Sequence, residues 1–189
     1  MSTINSKPPL YFIAMYPPSH IRKEIEVIKK DLKDRFRTKH ALKLPAHITL
    51  QIPFRMPVNK EKILLNKLER FLKEHPAFHT DLEGFGRFAK NVIFIKVVDH
   101  EPYIHLYEEL QQFMLDFLDL KSHEISSKIH PHITLATRDL KRSHFPKIWE
   151  YFQDREYSNS FLAEKIQVLK HNGQNWDILK SLSLATRNK

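Results

Sequence analysis

The chain has 189 residues, 41% of them hydrophobic and 11% aromatic, enough to bury a core without covalent staples. Only 3 residues are glycine and none is cysteine. That excludes glycine-rich phosphate loops, disulfides, thiolate nucleophiles and cysteine-ligated metals, so any phosphate chemistry must rest on other side chains. Lys and Arg number 31 against 22 Asp and Glu, a formal charge of +9, which favours an anionic partner such as RNA, DNA or a nucleotide.

Met1–Pro9 has no apolar stretch of the signal-peptide kind, and no run is long enough to cross a membrane. A cytoplasmic chain with no membrane partner is expected, consistent with the lack of cysteine. Leu10–Met15 reads as a buried strand ending at Pro17-Pro18. Ile21, Ile25, Ile28, Leu32 and Phe36 then mark an amphipathic helix over 19–38, with Ser19 as its N-cap and Lys29-Lys30 on its solvated face. A strand follows over His47–Ile52, closed by Pro53, and then a helix over 60–74. Strands are predicted at Phe78–Phe88 and Val92–Val98, and a helix at 102–119. A strand at His132–Thr137, a helix at 143–154 and a strand at 161–170 come next. Asn172-Gly173 turns the chain into a last strand at 176–184.

The same order of elements occurs twice. His47 and His132 are offset by 85 residues, Leu10 and Val92 by 82. This suggests one duplicated unit, about 10–88 and 92–170, within a single domain over 1–189. The expected fold is α+β: two lobes, each with an antiparallel sheet facing a central cleft and helices outside.

The two matching strands share the tetrapeptide His-Ile-Thr-Leu, at 47–50 and 132–135. Strand alternation puts His47, Thr49 and Gln51 on one face and His132, Thr134 and Ala136 on another, with Ile48 and Ile133 pointing away from the cleft. Each strand thus offers an imidazole and a hydroxyl about 6.6 Å apart. Near neutral pH one imidazole can take a proton and another can give one. Phosphodiester cleavage needs both, on opposite sides of phosphorus, and the threonine hydroxyls can hold the non-bridging oxygens. His130 and His132 could chelate a metal from one strand face, but two nitrogens fall short of a catalytic zinc set, so neither metal nor cofactor is expected. Tyr11, Phe54, Arg55, Phe85 and Phe88 could stack on a base, Arg87 or Lys90 could hold a phosphate, and His130 would sit at the cleft edge.

With these motifs the sequence resembles the 2H phosphoesterase superfamily, in particular its 2′-5′ RNA ligase / RNA 2′,3′-cyclic phosphodiesterase branch. Tyr11–Pro18 is similar to the family's opening strand, Phe85–Phe88 with Asn91–Ile95 to its central hairpin, and Pro131–Ala136 to its second motif. The resemblance implies a LigT-like bilobal fold and metal-independent chemistry. His47 and His132 become the catalytic pair, with Thr49 and Thr134 on the phosphate, and a terminal 2′,3′-cyclic phosphate of RNA is opened to a 2′-phosphate. A related transfer joins a 5′-hydroxyl without ATP. The implied partner is an RNA end or a cyclic nucleotide, and a monomer is expected. The resemblance also suggests Arg138 as a phosphate contact, but in family members the arginine often follows the second motif one place earlier, so the Arg138 side chain would face away if the strand continued. A non-catalytic RNA-binding module and a hydrolase of small cyclic nucleotides or of ADP-ribose cyclic phosphate are the alternatives.

Overall fold

Eight strands, one more than predicted, and four helices make up a computed structural model that describes residues 7–126 and 128–186. They are β1 (Leu10–Met15), α1 (Ser19–Phe36), β2 (Ile48–Arg55), α2 (Glu61–Leu72), β3 (Phe78–Phe88), β4 (Val92–Val97), α3 (Glu101–Phe117), β5 (His132–Ala136), α4 (Phe145–Gln153), β6 (Ser158–Ala163), β7 (Lys165–His171) and β8 (Trp176–Ser183). The opening residues Met1–Ser6, read above for targeting signals, lie outside the described residues. Among the described residues no helix is long and apolar enough to cross a membrane.

The strands form two four-stranded antiparallel sheets, ordered β2-β1-β7-β8 and β5-β4-β3-β6. Fold class and motif strands are as expected, but the lobes do not follow the linear repeat. β3 falls in the first repeat unit by sequence yet pairs with β4 and β6, and β7 returns to pair with β1 and β8. The predicted strand at 161–170 is therefore two strands. Ala163 pairs with Phe78 in one sheet and Lys165 with Ser183 in the other, so the chain changes lobes at Glu164. Neither proline nor glycine marks that crossing, which is why the apolar pattern reads straight through it.

Two further boundaries move. Pro18, not Ser19, precedes the first turn of α1: its backbone is extended, its carbonyl receives the Arg22 N–H at 3.0 Å, and no side chain caps the helix. Pro53 does not close β2, which runs on to Arg55. β2 is an edge strand, where a missing N–H leaves no ladder bond unmade.

One apolar core contains residues of both sheets and all four helices. Two helices cross between lobes: α1 packs against β5, and α3 against β2. Ile48 and Ile133 are fully buried in this core, as the alternation requires. Side chains of that size contribute roughly 1.5–3 kcal/mol each by burial, which fixes which face of each motif strand is left for the cleft.

Candidate active site

Each motif strand carries a β-bulge at the same place. Thr49 pairs with Ala14 but Gln51 with Ile13; likewise Thr134 pairs with Phe94 but Ala136 with Ile93. Two residues on the motif strand thus oppose one on its neighbour, and the side-chain alternation shifts by one. Gln51 and Ala136, expected beside the threonines, are turned into the interior, where both are buried. The Gln51 amide donates to the Glu124 carbonyl at 2.7 Å and accepts from Gln111 on α3 at 2.5 Å. The pairings also set the offset between β1 and β4 at 80 residues rather than 82, leaving the cleft face unchanged because the parity is the same.

The cleft, about 510 Å³, is lined by His47, Thr49 and Thr134 together, so both motif strands reach one space. His132 stands within electrostatic reach of His47. His47 Nδ1 lies 2.8 Å from the Pro45 carbonyl and His132 Nδ1 lies 2.6 Å from the His130 carbonyl. A carbonyl can only accept, so in each neutral ring Nδ1 holds the proton and Nε2 is the basic nitrogen. The same two-residue contact therefore selects the same tautomer in both halves.

Burial pushes the His47 imidazole down to about 4; nearby Lys29 and His132 add to this, and the Pro45 contact opposes it. His132 is also held below the ordinary histidine range, chiefly by burial. Both rings are neutral at pH 7 in the free site, and an entering anion would favour protonating one of them.

Of the further residues singled out from sequence, some reach the site and some do not. Phe88 lies beside His132 at 5.0 Å between ring centroids, and His130 packs on Phe88 at the same distance. Arg138 lines the cleft: β5 ends at Ala136 and Arg138 takes a left-handed backbone (φ 59°), so strand parity no longer dictates its direction. Tyr11 and Phe54 are corrected. Both are fully buried and stacked on each other at 5.9 Å, and the Tyr11 hydroxyl donates to Glu61. Arg55 is exposed and its guanidinium donates to the Pro8 carbonyl, away from the cleft lining. The aromatic residues on the cleft face are instead Phe12, 5.6 Å from the His47 ring, and Trp176, edge-on to Phe12 at 4.6 Å. Tyr11 and Phe12 are adjacent aromatic residues, and pairing to β2 and β7 decides which one faces the cleft.

Lys29 is the second correction. It is 3% exposed rather than solvated, and its ammonium donates to the carbonyls of Ala41 and Leu44 at 3.0 and 3.2 Å. Burial pushes it down to about 8. Its signal was present in the sequence: Ile21, Ile25 and Lys29 follow one another four residues apart on the buried face of α1. Lys29, Lys43 and Arg138 line the cleft, and its lining among the described residues contains no carboxylate. On the other side, Phe94 lies across Gly86, where a Cβ would come within 2.5 Å of its ring, and this holds Phe94 5.0 Å from His132.

Comparison with known proteins identifies relatives of this chain in sequence and in fold. A chain from Geobacillus kaustophilus (strain HTA426) that carries a provisional phosphoesterase name is 27% identical over 161 residues, covering 84% of this chain and 86% of that one. The RNA 2′,3′-cyclic phosphodiesterase of Thermotoga maritima is 28% identical over 148 residues, covering 74% and 73%. A crystal structure from Thermus thermophilus superposes with a TM-score of 0.70 at 20% identity, over 95% of this chain and all of that one. E. coli LigT complexed with 3′-AMP superposes with a TM-score of 0.65 at 18% identity, over 94% and 99%. The model of the 2′-5′ RNA ligase superfamily matches residues 17–175, and the chain belongs to that superfamily, the 2H phosphoesterases.

Proposed function

We propose that this phosphoesterase opens 2′,3′-cyclic phosphate ends of RNA to 2′-phosphates, without a metal, by paired-histidine acid–base catalysis. The observation that carries the reading is that both motif strands reach one cleft, lined by His47, Thr49 and Thr134, with His132 within electrostatic reach of His47 and the same tautomer selected in both rings. Water attacks phosphorus as the P–O3′ bond breaks; one Nε2 takes the water's proton and the other ring gives a proton to O3′. Thr49 and Thr134 hydroxyls donate to the non-bridging oxygens as charge builds there. His47, held lowest and beside Lys29, takes the base role, and His132 the acid role once the substrate phosphate has raised its affinity for a proton. Phe12 and Trp176 offer a face for the terminal base, and the carboxylate-free lining suits an anion. A 5′-hydroxyl taking the place of water would give ATP-independent 2′-5′ joining. The relative named for RNA 2′,3′-cyclic phosphodiesterase activity supports this choice of substrate.

The test is hydrolysis of an oligonucleotide ending in a 2′,3′-cyclic phosphate in excess EDTA, with product isomer read by chromatography. Turnover to the 2′-phosphate, lost in His47→Ala and in His132→Ala, is the expected result. RNA binding with no turnover by the wild type would instead mark a binding module. Faster turnover of cyclic mononucleotides than of RNA ends would mark a small-nucleotide hydrolase.

A further inference from the structure

A second cavity, about 340 Å³, adjoins the cleft on the His47 side, and Lys29 and Leu44 line both. Ser19, Arg22, Lys23 and Glu26 form its other side. We propose that this cavity is a subsite for the phosphodiester joining the terminal nucleotide to the rest of an RNA strand; the assignment rests on the cyclic-phosphate reading of the cleft.

Three observations support it. First, Lys29 is a buried ammonium with three N–H donors, of which two go to the Ala41 and Leu44 carbonyls. The third remains for a ligand at the junction of the two spaces. Second, Arg22 Nε is buried with no acceptor among the described residues, a costly state that an incoming phosphate oxygen would relieve. The Arg22 guanidinium stands 5.4 Å from the Tyr16 ring, which is itself 6.2 Å from the His47 ring, so it is one neighbour removed from the candidate base. Third, the charge balance suits an anion. Arg22, Lys23 and Lys29 face one carboxylate, Glu26, and Glu26 is paired with Lys30 at 2.7 Å. A strand whose cyclic end occupies the cleft must leave through a neighbouring space, and its next phosphate is the nearest negative charge it carries.

A 2′,3′-cyclic mononucleotide has no such phosphate, a dinucleotide has one, and longer RNA has more. Wild-type KM should therefore step down between mononucleotide and dinucleotide and change little with further length. Arg22→Gln with Lys23→Gln should remove roughly tenfold of that dinucleotide preference and reduce the salt dependence of dinucleotide binding. Arg22→Lys, which keeps the charge, should restore part of it, and thermal unfolding shows whether each variant is folded. The absence of a step, or a folded double variant that keeps the full preference, would overturn the subsite. If the wild type turns over neither substrate, the catalytic reading fails, and the subsite is then judged by binding alone. A 3′-phosphate-ended dinucleotide should bind more tightly than the 3′-mononucleotide, with the advantage lost in the double variant; equal binding of the two sinks it.

Discussion

The His47 half and the His132 half repeat the same tetrapeptide, the same bulge and the same Nδ1–carbonyl contact, yet they are not equivalent. The residue paired with Thr49 is Ala14; the residue paired with Thr134 is Phe94. Ala14 is fully buried in a cluster with Phe12 and Leu169, against which Tyr16, Leu44 and Trp176 pack, whereas the Phe94 ring lies beside His132 at 5.0 Å. The cleft takes most of its wall from the first lobe and the loops around it, and only Thr134, Thr137 and Arg138 from the second. The electrostatics diverge too. Lys29 lies near His47, whereas His130 and two phenylalanines surround His132. In the proposed reaction, repetition of the backbone would supply two matched proton carriers, and divergence of the neighbours would give them different tasks.

Removing the shared part should cost most. His47→Ala and His132→Ala should each lower kcat on a cyclic-phosphate-ended oligonucleotide by roughly 10² to 10⁴, with the double variant far from additive. Thr49→Val and Thr134→Val keep the strand packing and delete one donor each; a fall in kcat of about 10² with little change in KM is expected. A larger effect on KM than on kcat would assign the threonines to ground-state binding instead.

The asymmetric part gives smaller and more selective effects. Ala14→Leu would crowd the cluster that holds Phe12 on the cleft face. It should raise KM and cost about 1–3 kcal/mol by overpacking, visible as a lowered Tm. Phe94→Leu should leave KM nearly unchanged. Lys29→Met removes the cation that disfavours His47 protonation, so the His47 titration followed by NMR should move up toward the ordinary range. The sign for stability follows from linkage. Between about 6.5 and about 4 the unfolded His47 ring binds a proton that the folded ring refuses. Its contribution to stability is complete above that window and is lost as pH falls through it. His47→Gln should flatten this part of the stability–pH curve. The smallest effect belongs to the interlobe contact at the first bulge. Gln51→Leu leaves the Glu124 carbonyl without its donor and should cost about 1–3 kcal/mol in denaturant unfolding, with modest loss of activity.

Much of this was legible in the chain itself. Period-two alternation around His-Ile-Thr-Leu identified both motif strands and their buried isoleucines, because that pattern depends only on neighbours two residues apart. The helices were legible for the same reason at period three to four. Arg138 was harder: a position one residue late is on the wrong face of a continuing strand, and only the end of β5 and a left-handed residue bring it back.

What tertiary structure alone decided concerns partners distant in sequence. Sheet membership of β3 and β7 depends on which edge each strand finds, and a strand's own side chains fit either sheet. The choice of Phe12 over Tyr11 for the cleft depends on registration against β2 and β7. The burial of Lys29 depends on carbonyls of a loop twelve and fifteen residues away. Local spacing determined the catalytic candidates and the face each motif strand shows; long-range pairing, which no short window of sequence encodes, determined what surrounds them.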